Sequence, residues 1–140
     1  MRYSLTDELF ALRLTEGEEL HASIAKACQE YHCDSAVVLG GLGMVRNVTF
    51  GWFTGTEYLT EVHDEIFELS ALSGDVSYKD DTLYPHLHMV VNRRDHSVLG
   101  GHCLRAVVDH NMEVFLKPVH SIQFRREFDG WFAALAPAKR

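Results

Sequence analysis

The sequence predicts an α+β domain: a mainly antiparallel sheet with one main helix packed on it. A single amphipathic segment has helical period and a helix-start signature. Nearly everything else alternates apolar and polar residues with period two. The connections between these segments are mostly short, which favours antiparallel neighbours.

Phe10, Leu12 and Leu14 alternate and form the first expected strand. Thr15 and Glu18 then make a T-x-x-E capping box. Leu20, Ile24, Ala27, Cys28 and Tyr31 recur at helical spacing, with Lys26, Gln29 and Glu30 opposite, so a helix is expected from about Glu16 to Tyr31. Ala36–Leu39 is a short apolar strand running into Gly40-Gly41-Leu42-Gly43. That loop has Arg46 where a phosphate-binding GxGxxG has its third glycine, and a strand follows it, so it reads as a tight turn. Val48, Phe50 and Trp52 alternate before a turn at Gly55, and Ile66–Ser73 is a strand ending at Gly74. His86–Asn92, Val98–Val108, Met112–Leu116, Ser121–Phe128 and Trp131–Leu135 complete the set. No linker or repeat divides the chain, so residues 1–136 are read as one domain and 137–140 as a frayed tail.

The 140 residues are 46% hydrophobic and 24% charged, a globular and not a disordered composition. No apolar run is long enough to span a membrane, and Met1–Phe10 carries acids where a secretory signal would be apolar. A cytoplasmic location is therefore expected. Cys28, Cys33 and Cys103 form no CxxC pair and read as small buried apolar residues. The net charge of −7 gives little counterion-release drive toward nucleic acid. Arg93-Arg94 and Arg125-Arg126 read as solvated loop or strand-edge pairs, and no nucleic-acid-binding residue is assigned.

The histidines carry the chemistry. His86 and His88 are two apart on an expected strand, so both point to one face. The next strand carries Gly100-Gly101-His102. With His88 opposite His102, Val90 faces Gly100, Asn92 faces Val98, and Arg93–Ser97 is the hairpin loop. His102 then shares the face of His86 and His88, whereas a slip of one residue would move it to the other face. The neighbouring glycines would leave room for an ion and its fourth ligand. Three neutral imidazoles suit zinc and other divalent transition metals, and three protein ligands plus an open position is the catalytic pattern of zinc. The spacing alone equally admits three hydrogen-bonded histidines on a half-exposed face. His21, His32, His63, His96, His110 and His120 read as surface or capping residues.

Pro85-His86-Leu87-His88 followed by Gly100-Gly101-His102 resembles the PPC (plant and prokaryote conserved) domain. Arg13, Glu16-Gly17-Glu18, Gly41-Leu42-Gly43, Gly51-Trp52-Phe53, Glu68-Leu69-Ser70, Leu72-Ser73-Gly74, Glu113 and Arg126 agree in order. The resemblance implies a mixed fold with a mainly antiparallel sheet, a homotrimer, and metal held by His86, His88 and His102. Asp75 departs from it, standing where the family more often has asparagine, and is expected to alter only a turn contact. In plants the domain is fused to AT-hooks that bind DNA. This sequence has no R-G-R-P hook, so direct DNA binding is not expected.

Two functions follow as expectations. One is a metal-dependent enzyme or small-molecule site, with water or an anion completing the metal's shell. Glu113 is then the candidate catalytic base, and Glu68 and Arg13 are candidates for orienting an imidazole or a ligand. An ion pair of either glutamate with Arg13 or Arg105 is the structural alternative. The other function is a non-catalytic regulatory or DNA-associated trimeric module.

Overall fold

The computed structural model describes residues 1–140. The elements in chain order are β1 (Arg2–Leu5), β2 (Phe10–Thr15), α1 (Leu20–Glu30), β3 (Ala36–Phe53), β4 (Tyr58–His63), β5 (Phe67–Lys79), β6 (Thr82–Asn92), β7 (Val98–Pro118), β8 (Ile122–Phe128) and β9 (Ala133–Lys139). They form one sheet with the path β1-β2-β7-β3-β5-β8-β9, in which β4 pairs with β3 and β6 pairs with both β5 and β7. The pairings β3–β5, β5–β6, β6–β7 and β7–β3 therefore close a circuit of four strands. The fold is mostly sheet with one short helix. Its ladders are antiparallel except for a parallel contact between Tyr78 of β5 and Arg125 of β8, so the sheet is mixed.

The helix begins later than the sequence suggested. Glu18 does reach back to the Thr15 backbone N–H, which donates to it at 2.7 Å. The Glu18 N–H, however, donates to the Thr15 carbonyl at 3.2 Å across Gly17, whose φ is +82°. That is a β-turn with glycine in its left-handed position, so the T-x-x-E letters close a turn and Glu19 caps the helix instead. Its carboxylate accepts the Ala22 N–H at 2.7 Å. At the other end the N–H groups of His32 and Cys33 donate to the carbonyls of Gln29 and Cys28, at 3.2 and 2.8 Å, with His32 left-handed at φ 52°. This is a Schellman ending, and it brings buried Cys28 and Cys33 together.

Three expected breaks are continuous strands. β3 runs through Gly40–Gly43 with register shifts, not a turn. A Cβ on Gly43 would lie 2.4 Å from the Asn111 carbonyl of β7, so these glycines permit strand contact rather than reversal. β5 likewise continues past Gly74, where a Cβ would meet the His86 carbonyl at 1.9 Å. β7 joins the two segments expected at 98–108 and 112–116 through His110, which takes φ 60°. The strands β1 and β4 were not foreseen, because both are exposed and lack a buried alternation. Residues 137–139 do not fray: Pro137 pairs with Phe124 and Lys139 with Ile122.

The core joins the inner face of the sheet to α1, which buries Leu20, Ile24, Ala27 and Cys28. Leu87, Met89 and Cys103 point into it from β6 and β7. By strand parity, the intervening His86, His88 and His102 lie on the opposite face.

Candidate metal centre

The hairpin β6–β7 has the register expected from its sequence: His88 opposite His102, Val90 opposite Gly100, Asn92 opposite Val98. His86, His88 and His102 consequently converge, each offering one ring nitrogen within 4.8 Å of the others. The ring centroids are separated by 5.3 Å (His86–His88), 5.0 Å (His86–His102) and 5.1 Å (His88–His102). For three imidazoles on one tetrahedral zinc at the usual Zn–N distance, centroids should stand about 5.2 Å apart. The three nearly equal separations fit a single ion.

Backbone contacts fix the two strands at this point. The lost Cβ of Gly74 lets β5 approach β6 at His86, and that of Gly100 lets β7 approach at Met89, whose carbonyl a Cβ would meet at 2.5 Å. Gly100 thus admits close backbone contact, and with Gly101 it also lines the cavity above the histidines. From the core side, His21 of α1 places its Nε2 2.9 Å from the Cys103 carbonyl, tying the helix to the residue after His102.

The imidazoles differ in setting. His102 is 9% exposed, and burial, reinforced by the facing His86 and His88, pushes its pKa down to about 4. Burial, then the Arg126 charge, lowers that of His86. Both rings are therefore neutral at pH 7, as ligation requires. Cys103 is on the opposite face and buried, which pushes its thiol up to about 12 and leaves it no ligand role.

His86 has a built surround. Asp75 faces it across the β5–β6 ladder, with Oδ2 3.8 Å from His86 Nδ1. Arg126 Nη2 donates to Asp75 Oδ1 at 2.6 Å and lies 3.2 Å from His86 Nδ1, while its Nε donates to Ser77 Oγ at 3.0 Å. Two expectations are corrected here. Asp75 is a mid-strand partner of the histidine, not a turn residue. The Arg126 side chain is 5% exposed, not a solvated strand-edge charge. Neither role shows in local spacing, because the pairing joins residues 51 apart.

The remaining candidates lie elsewhere. Glu113 faces Arg13 across β2–β7, and Glu68 is exposed opposite Asn92. None of the three lines the cavity above the histidines. That cavity, of about 1080 Å³, is walled by Phe53, Tyr58, Tyr84, Leu104 and Phe132 and reaches Lys79 and Arg126. The Tyr58 ring lies against His102 with centroids 5.5 Å apart.

The family model of the Plants and Prokaryotes Conserved (PCC) domain matches residues 1–120. A plant- and prokaryote-conserved (PPC) protein of Pyrococcus horikoshii is similar over 99% of this chain and 97% of its own, with 27% identity and a TM-score of 0.87. A metal-containing protein of Archaeoglobus fulgidus is similar over 99% and 97%, with 28% identity and a TM-score of 0.84. A candidate DNA-binding protein of Bacteroides thetaiotaomicron covers 99% and 96%, with a TM-score of 0.86; at 23% identity that likeness speaks for the fold alone. No curated protein matches the sequence.

Proposed function

The chain belongs to the Plants and Prokaryotes Conserved (PCC) domain family, and within it we propose a homotrimeric protein that binds zinc or another divalent transition metal through His86, His88 and His102, with an open position for a ligand. The observation that carries this reading is the convergence of three imidazoles at nearly equal separations on one face of the β6–β7 hairpin. The metal-containing relative supports it.

A metal that binds through one ring nitrogen leaves the other protonated, and that proton needs an acceptor. Beside His86 Nδ1 the carboxylate is Asp75, 3.8 Å away and in need of a small shift to accept that proton, whereas Arg126 donates. Asp75 would hold the His86 ring in its ligating orientation, and Arg126 would hold Asp75. A bound metal supplies a Lewis acid and lowers the pKa of a bound water to about 7. Glu113 and Glu68 lie away from the cavity, and Glu61 is the carboxylate on its lining.

The trimer is supported by apolar side chains around β4, which pairs only with β3: Leu59 is 56% exposed, Val62 63% and Trp52 74%. No helix is long and apolar enough to cross a membrane. The net charge of −7 disfavours a nucleic-acid partner.

Elemental analysis of the purified protein tests the reading, with about one transition metal ion per chain expected. Retention of full metal content by His102→Ala would remove it.

A further inference from the structure

We propose that the cavity above the three histidines takes a carboxylate carried on an aromatic or bulky apolar body, with the carboxylate directed toward the histidines and Lys79. This rests on the metal reading for the carboxylate's place at the ion, but the cavity's own residues argue it separately.

The cavity lining has two groups of residues of different character. One is His86, Arg126 and Lys79, gathered around the Tyr84 ring. The Arg126 charge is matched by Asp75. The Lys79 ammonium has no carboxylate partner and lies 5.0 Å from the centre of the Tyr84 ring. The acidic lining residue is Glu61, which is 75% exposed and lies 2.9 Å from the His63 ring. Lys79 is therefore the lining cation without a carboxylate partner, and a bound metal would add to its charge.

The other group is aromatic and reaches the histidines through Tyr58. Phe53 meets Tyr58 with centroids 5.2 Å apart and Phe132 edge-on at 5.6 Å, so the rings brace one another. Flat apolar walls of this kind favour a planar or branched hydrocarbon body and give a hydrated ion nothing to bond. A singly charged carboxylate balances the Lys79 charge while its body packs on the Phe53, Tyr58 and Phe132 rings. Phosphate, doubly charged and strongly hydrated, suits Lys79 but not the walls. The volume of about 1080 Å³ suits a ligand of small-molecule size.

The experiment is calorimetric titration of metal-loaded and metal-stripped protein with 3-phenylpropanoate, 3-phenylpropanamide, acetate and inorganic phosphate, with metal content measured on the same samples. The phenylpropanoate is expected to bind at least about tenfold tighter than acetate, because its ring leaves water for the apolar walls. It should also exceed the amide and phosphate. Lys79→Gln should weaken the carboxylate several-fold and leave the amide unchanged. Phe132→Ala should erase most of the preference over acetate while retaining the metal. Equal binding of acetate and phenylpropanoate, equal binding of the amide, or a preference for phosphate would overturn the proposal even if the metal is present. A protein that takes up no metal yet shows the same Lys79 and Phe132 dependence would sustain this proposal and overturn the metal reading.

Discussion

Asp75 stands directly opposite His86 in the β5–β6 ladder, and Arg126 bridges the two from β8. Arg126 is within hydrogen-bond reach of the His86 ring and holds the Asp75 carboxylate 3.8 Å from it. Asp75→Ala should lower metal affinity about 10–100-fold, the usual effect of losing a partner behind a metal ligand. Asp75→Asn keeps an acceptor for the imidazole N–H and should fall between the two. Competition with a chromophoric chelator measures both; wild-type affinity in Asp75→Ala would show that His86 needs no such partner.

The glutamates singled out in the sequence should not matter to the ion. Glu113→Gln and Glu68→Gln should keep full metal content, while His86→Ala, His88→Ala and His102→Ala each lose it. The three histidines converge within 4.8 Å, whereas Glu113 faces Arg13 and Glu68 faces Asn92 on other parts of the sheet. Metal loss in Glu113→Gln would revive its assignment, with the carboxylate supplied by another copy of the chain.

Acid should destabilise the metal-free protein before carboxylates titrate. Folding lowers the proton affinity of His102, to about 4, and also that of His86. The unfolded chain binds those protons near pH 6.5, so between these limits it holds more protons than the native state. The stability from keeping the rings neutral is complete above about pH 6.5 and is lost as pH falls toward 4. Urea midpoints of stripped protein at pH 7 and 5.5 should show the drop, and His102→Gln should shrink it. An equal or higher midpoint at pH 5.5 counts against buried neutral rings.

Gly74 and Gly55 separate backbone strain from close approach. Both have positive φ, +151° and +101°. A Cβ at Gly55 meets nothing within 4 Å, whereas one at Gly74 would lie 1.9 Å from the His86 carbonyl. Gly55→Ala should cost about 1–2 kcal/mol of strain. Gly74→Ala should cost clearly more and reduce metal affinity, because β6 must shift at His86. Thermal unfolding and chelator competition measure the two; equal stability losses with unchanged affinity would refute the positioning role.

The oligomer can be tested at the β4 edge. Light scattering of the wild type should give a trimer mass, and Val62→Lys should lower it by placing charge on the exposed apolar edge. A wild type that is monomeric at micromolar concentration would remove the trimer from the proposal.

By itself the sequence determined the hairpin that brings the three histidines together. Side-chain direction alternates along a strand, and the five-residue loop Arg93–Ser97 admits the register that puts His88 opposite His102; both are local properties. The main helix and the inward-facing Leu12, Leu87 and Cys103 were legible for the same reason. Tertiary structure decided what depends on distant chain. Thr15 and Glu18 have the letters of a capping box, but Gly17 turns left-handed as its N–H bonds the Val108 carbonyl at 3.0 Å, and the helix starts later. Gly43 and Gly74 looked like breaks because a glycine's freedom is visible in sequence while the strand pressed against it is not. Asp75 and Arg126 looked incidental because their contact with His86 exists only once β5, β6 and β8 meet, and no local period records a partner 40 or 51 residues away.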